Sequence, residues 1–238
     1  MLLQNRTVLI FGGSSGIGLA TGQAAAAAGA RVVVVGRRKD ALDQAVGLIG
    51  PGASAVAADI GIEADVRRVF ETAGEVDHVV TTAANLTYAP ITEFQMEDAQ
   101  RVLDSKLLGP LMVAKHAGKR LPATGSITFI SGVAAYKPMP GGAMVGAANA
   151  ALESLAQTAA VELAPIRVNV VSPGVVDTPS WSGMPADDRR RYFASLAATL
   201  PARRIGQPED LAQAILAVMT NAYITGTVLH VDGGHRLV

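Results

Sequence analysis

The sequence predicts an α/β chain built on a doubly wound parallel sheet flanked by helices, and three observations predict it. Short β-branched runs alternate with Ala- and Leu-rich stretches of helical length along the chain. Runs such as Arg31-Val32-Val33-Val34-Val35 are apolar after the first residue instead of alternating, the pattern of a strand covered on both faces. A glycine-rich turn directly follows the first run, where the chain passes from strand to helix.

Taken in order, strands are expected at 7–11, 31–35, 54–58, 76–81, 125–131, 166–172 and 226–231, each bounded by turn residues and followed, except the last, by a helix-like segment. Gly29 suits a helix C-cap before the second strand, and Pro208-Glu209-Asp210 suits the first turn of a late helix. The stretch from Pro173 to Pro185 is the longest expected loop. It follows a strand's C-terminal end, where open α/β sheets bind ligands. No repeat or Pro/Ser-rich linker interrupts the pattern, so one domain over 1–238 is expected.

Composition excludes several classes of function. Twenty basic residues balance twenty acidic ones, whereas nucleic acid or an anionic membrane calls for a basic surplus. With no Cys there is no disulfide framework, thiolate nucleophile or Cys-ligated zinc. His78, His116, His230 and His235 lack metal-ligand spacing, so no metal is expected. The N-terminus has no signal-peptide succession and no apolar run is of membrane-spanning length, which points to a cytoplasmic protein. Half the residues are hydrophobic and only 4% are aromatic, so the core must be built from Ala, Val, Leu and Ile.

Phe11-Gly12-Gly13-Ser14-Ser15-Gly16-Ile17-Gly18 places glycines at G-x-x-x-G-x-G. Gly12 permits the tight turn, Gly16 lets the backbone approach a pyrophosphate, and Gly18 lets the helix pack on the sheet. The helix N-terminus, including Ser14, Ser15 and Ile17, offers N–H groups to the anion. After the second strand, where an acid would bind a ribose 2′-hydroxyl, the chain reads Gly36-Arg37-Arg38-Lys39. Guanidinium groups there favour a 2′-phosphate, hence NADP(H) over NAD(H), although a solvated basic turn reads the same way. Asp59, with Ile60 beside it, is placed to meet an adenine amino group or, equally, to cap a helix.

These motifs resemble the short-chain dehydrogenase/reductase family along nearly the whole chain. The resemblance rests on the glycine turn, Asp59, Ser172-Pro173-Gly174-Val175-Val176-Asp177-Thr178, Arg203-Arg204-Ile205-Gly206-Gln207-Pro208-Glu209-Asp210 and Val231-Asp232-Gly233-Gly234, in that order. It implies a single Rossmann-like domain, a small-molecule substrate and a homodimer or homotetramer. It also implies a nicotinamide site near Pro173, Gly174, Val176 and Thr178, with Ala83 among the other cofactor-binding residues. The small residues from Ala147 to Ala164 would let helices of two copies approach closely.

The family's Ser and Tyr-x-x-x-Lys are missing. Alignment puts Gly132 at the Ser position, Val145 at Tyr and Asn149 at Lys, and a shift by one residue restores neither Tyr nor Lys. The family's N-N-A-G reads Thr81-Thr82-Ala83-Ala84, and its helix Asn reads Lys106. Two residues are candidates for the vacated roles. Lys106 offers an ammonium to a developing alkoxide or is a solvated or ion-paired helix lysine. Ser131 offers a surviving hydroxyl or bonds backbone at a strand end. Tyr136 and Tyr88 are read mainly as packing residues, and Trp181 and Met184 as a substrate lid or loose apolar contacts.

Three readings follow: an NADP(H)-dependent carbonyl/alcohol oxidoreductase with a non-standard proton donor, a catalytically silent NADP(H)-binding module serving as sensor or partner subunit, and a scaffold that no longer binds nucleotide.

Overall fold

In a computed structural model, which describes residues 2–238, the seven β-branched segments lie side by side and parallel. They are β1 (Thr7–Phe11), β2 (Arg31–Gly36), β3 (Ala53–Ala57), β4 (His78–Thr81), β5 (Ser126–Ile130), β6 (Arg167–Pro173) and β7 (Val228–Val231). Their order across the sheet is β3-β2-β1-β4-β5-β6-β7, so the strand order reverses between β1 and β4. That reversal opens a crevice at the strands' C-terminal ends, the place where doubly wound sheets bind ligands.

Each face of the sheet is covered, as the uninterrupted Val and Ile runs require. One core packs Leu9, Phe11, Val79, Phe129 and Val170 with Phe70 and Leu152. The other packs Ile10, Val34, Val80 and Val171 with Leu211 and Ile215. The helices are α1 (Gly16–Ala27), α2 (Lys39–Ile49), α3 (Glu63–Ala73), α4 (Met96–Leu103), α5 (Gly109–Ala117), α6 (Ala143–Glu162), α7 (Ala186–Thr199) and α8 (Pro208–Thr220); α7 buries no residue and contributes to neither core.

Two local features position the site. Between α4 and α5 the helix widens into a π turn over Asp104–Leu108. Pro110 has no N–H to continue the α ladder there, and wide turns of this kind gather at functional positions. At the start of α8, Gln207 and Asp210 form a capping box, and Asp210 also binds Arg204 through both carboxylate oxygens at 2.5 and 2.7 Å. This fastens the segment that runs beside the β6 exit loop, where Val176 bridges Gly206.

The fourth strand begins two residues later than the sequence predicts. The difference is confined to the strand's end, where Asp77 still donates its N–H to the Thr7 carbonyl at 3.0 Å and accepts the Ser126 N–H at 3.1 Å, while its carboxylate accepts the Thr7 N–H at 2.8 Å and pairs with Arg6 at 2.7 Å.

Candidate active site

The glycine turn is shaped by close approach. Gly12 holds φ +87°, and a Cβ there would lie 2.4 Å from the Ala83 nitrogen. A Cβ on Gly18 would lie 2.2 Å from the Gly12 carbonyl oxygen, so α1 sits against the end of β1 at a distance only glycine allows. Thr82 ties the turn to β4, its hydroxyl donating to the carbonyls of Phe11 (3.1 Å) and Gly12 (3.0 Å). Ser15 occupies the N-cap of α1 without capping it, so its side chain takes up none of the first-turn N–H groups. Ser14, Ser15, Gly16 and Ile17 all retain solvent access around that turn.

The remaining cofactor candidates surround the same crevice. Arg37 and Arg38 are exposed and, among the described residues, neither pairs with a carboxylate; Arg37 donates to Asn85 Oδ1 at 3.3 Å. Asp59 Oδ1 accepts the Gly61 N–H at 2.9 Å, a local turn bond that leaves its second oxygen available. Ile60 is buried against Gly109 and the bent helix. On the opposite side, Pro173 ends β6, the Gly174 N–H donates to Val231 at 3.2 Å, and Val176 is buried. Thr178 lies against Gly16, its Cβ 3.2 Å from where a Gly16 side chain would begin.

The resemblance assigns the family's Ser, Tyr and Lys to Gly132, Val145 and Asn149. Gly132 follows β5, Asn149 meets it from α6, and Val145 lies one turn before Asn149 on that helix, both side chains 2% exposed. Val145 has no polar group. Asn149 Nδ2 reaches toward the Gly132 carbonyl at 3.5 Å, and Asn149 Oδ1 is buried without a partner.

Lys106 also ends here. It projects from the π turn, is 5% exposed, and donates through Nζ to the carbonyls of Ile130 (2.9 Å) and Ser131 (3.1 Å). Burial lowers its ammonium to about 8, with the Glu153 charge opposing that shift. It is neither a solvated lysine nor one in direct contact with a carboxylate.

Ser131 turns its hydroxyl away from these positions and donates to Glu153 Oε1 at 2.6 Å, while the Tyr136 hydroxyl donates to Glu153 Oε2. The Tyr136 phenol is pushed up to about 12 by burial of its hydroxyl and by the carboxylate that it serves, so it is no relocated acid. Burial raises the Tyr88 and Tyr192 phenols, with Tyr192 adding to the rise at Tyr88. Trp181 packs at a tilt against Tyr192 and edge-on against Phe193 and donates through Nε1 to the Val176 carbonyl at 2.9 Å; Met184 is half-buried in the same loop.

Sequence reading missed Glu153, Thr82 and Ser105, whose hydroxyl accepts the Asn85 N–H at 2.9 Å. The spacing 145, 149, 153 is a signal for Glu153, because i, i+4 and i+8 share a helix face. Thr82 and Ser105 carried no comparable signal.

Strand order, glycine turn and covering helices define a Rossmann-like α/β protein. A family model described as enoyl-(acyl carrier protein) reductase matches residues 12–236. The short-chain dehydrogenase/reductase ucsE of Acremonium sp is 33% identical, covering 98% of this chain and 96% of the relative. Carbonyl reductase family member 4 of Danio rerio is 34% identical over 98% of this chain and 99% of its own. A crystal structure of a small-chain dehydrogenase in complex with NADPH superposes with a TM-score of 0.84 at 32% identity, covering 98% and 99% of the two chains. The chain belongs to the short-chain dehydrogenase/reductase family, and it is an oxidoreductase-type member by that kinship. Among the described residues, no helix is long and apolar enough to cross a membrane.

Proposed function

We propose that this chain is an NADP(H)-dependent oxidoreductase of a small carbonyl/alcohol pair, in which the Lys106 ammonium answers the charge developing on the substrate oxygen in place of a tyrosine hydroxyl. One observation carries this reading. A buried cation ends beside three positions, Gly132, Val145 and Asn149, that hold neither hydroxyl nor ammonium.

The crevice residues fit a dinucleotide phosphate. Gly12 and Gly18 allow close backbone approach, the α1 N-terminus carries no side-chain cap, and Arg37 and Arg38 are exposed without carboxylates to neutralise them. Asn149 Oδ1 adds a buried acceptor that a ribose hydroxyl can satisfy. Pro173, Gly174, Val176 and Thr178 would flank the nicotinamide, with Asp59, Ile60 and Ala83 on the adenosine side. When bound, the nicotinamide supplies or accepts the hydride. The chain's own part is to align the substrate oxygen, exclude water beneath the Trp181 lid, and hold positive charge at the β5 end. A group near 8 also lies close to the neutral pH at which a proton is exchanged most effectively.

A second reading, a silent NADP(H)-binding module, is favoured by a different observation. Lys106 Nζ is held by two carbonyls, and the Ser131 and Tyr136 hydroxyls both serve Glu153. NADPH oxidation across a panel of aldehydes and ketones separates the two. Turnover that Lys106→Met removes supports the enzyme; tight NADPH binding without turnover supports the module.

The same proposal includes a homo-oligomer, because Leu108 and Leu111 on the bent helix and Val161 on α6 are exposed apolar side chains. A monomeric mass in light scattering at micromolar concentration would overturn that part alone.

A further inference from the structure

The Lys106 ammonium bonds two neutral carbonyls, yet an interior cation needs a compensating charge nearby if it is to stay ionised. One residue away there is a candidate. Ser131 accepts Lys106 Nζ on its carbonyl at 3.1 Å and donates its hydroxyl to Glu153 Oε1 at 2.6 Å. Glu153 is 7% exposed and accepts Tyr136 at its other oxygen, so both oxygens accept and neither donates, the hydrogen-bond pattern of a carboxylate.

We propose that Glu153 is the counter-ion of Lys106, coupled to it through Ser131, and that it is the positioning residue that keeps an ammonium at the end of β5. Its functional consequence rests on the reductase reading above; the charge coupling itself does not.

The surroundings leave few rivals. Glu153 is the charge that acts on Lys106. Asp104, the other carboxylate of the π turn, is only half-buried and accepts Gln100 Nε2 at 2.7 Å, and Ser105, Ser131 and Asn149 are neutral. Around Glu153 stand the Tyr136 phenol and the Ser131 hydroxyl. Beyond them, His230 meets the Tyr136 ring edge-on with centroids 4.6 Å apart, and Arg236 is already engaged by Asp232 at 3.0 Å. Neither displaces Lys106 as the interior partner. Helix geometry explains why this pairing arises here. Glu153 lies one turn beyond Asn149 on the face of α6 that meets β5, so a carboxylate there is directed at the strand end that Lys106 approaches from the π turn.

The test reads the ammonium directly and needs neither cofactor nor substrate. The chain has five lysines, so ¹³C-lysine labelling gives a resolvable set of side-chain Cε signals, with Lys106 assigned by its loss in Lys106→Met. In the wild type Lys106 is expected to titrate near 8, below an ordinary lysine. In Glu153→Gln, which keeps the shape and can still bond both hydroxyls, its proton affinity falls tenfold or more. In Tyr136→Phe, which keeps the carboxylate, it moves by less than half that shift on the pH axis, and Glu153→Asp restores part of what Gln removes. Lys106 titrating at its wild-type value in folded Glu153→Gln overturns the proposal.

If Glu153→Gln does not fold, Lys106→Met/Glu153→Gln decides the matter. Coupled charges predict that the double variant is more stable than Glu153→Gln alone, because the stranded cation is gone. A double variant no more stable than the single one overturns the coupling. Should the titration shift while Lys106→Met keeps full turnover, the counter-ion stands and the reductase reading falls.

Discussion

Asn149 stands in the space that a side chain at residue 132 needs: a Cβ on Gly132 would lie 3.0 Å from Asn149 Nδ2. The residues aligned with the family's Ser and Lys are therefore packed as a pair, each suited to the other's present size. Gly132→Ser alone must displace an amide that is 2% exposed. It is expected to destabilise the fold by about 1–3 kcal/mol, as overpacking does, and to add no reductase activity. Denaturant unfolding and ketone turnover check both statements.

Rebuilding the family's set requires more than one change. Gly132→Ser/Val145→Tyr/Asn149→Lys supplies hydroxyl, proton donor and ammonium together, whereas a Tyr without its Lys keeps a pKa of about 10 and is a poor base. The triple variant is expected to gain turnover on generic ketones over the parent. Adding Lys106→Asn should raise it further, since two interior ammonium groups near the β5 end repel each other. A triple variant slower than an already active parent would show that the site has been repurposed.

Lys106 predicts opposite pH trends for activity and stability. Its folded value is lowered from 10.5 to about 8, so the ammonium is present below about 8 and reduction should decline as pH rises through that value. The unfolded chain keeps its proton up to about 10.5, so between the two values the unfolded state binds more protons and stability should rise with pH. Both trends disappear in Lys106→Met. A pH–rate profile and chemical denaturation at matched pH values test the pair.

His78 predicts acid lability remote from the site. It is buried, with Nδ1 2.8 Å from Ser126 Oγ, and desolvation lowers it from 6.5 to about 4. The unfolded chain takes up a proton below 6.5 that the folded chain refuses until about 4. Stability is thus full above 6.5 and falls as pH drops toward 4, by about 3 kcal/mol from this residue. His78→Gln should flatten unfolding free energy across that window.

Arg37→Ala should weaken NADP(H) binding while leaving NAD(H) nearly unchanged, because it removes a guanidinium that a 2′-phosphate would engage and a free ribose would not. Isothermal calorimetry with both cofactors checks this. Equal losses for the two would make the Arg37-Arg38 pair a solvated turn.

The fold was largely legible because its signals are local and repeated. Apolar runs without polar alternation, Val32 to Val35 the clearest of them, placed the strands, and Gly12 to Gly18 placed the crevice. The start of β4 differs only at the strand's end, where Asp77 still bonds Thr7 and Ser126 through its backbone. That residues 132, 145 and 149 bear on the site was an expectation from the family resemblance. What Lys106 does there could not be read from the sequence, since its partners, the Ile130 and Ser131 carbonyls, are backbone groups with no side-chain signature. Ser131 was read as a free or backbone-bonded hydroxyl, and its bond to Glu153 depends on how α6 lies across β5.

The most direct test of the central claim is stopped-flow NADPH fluorescence on wild type and Lys106→Met with an aldehyde that the wild type reduces. If the buried ammonium stabilises the developing oxyanion, hydride transfer in Lys106→Met slows by roughly 10²–10³-fold while NADPH affinity is unchanged, the magnitude typical of removing one such group. Wild-type rates of hydride transfer in folded, NADPH-bound Lys106→Met would contradict it.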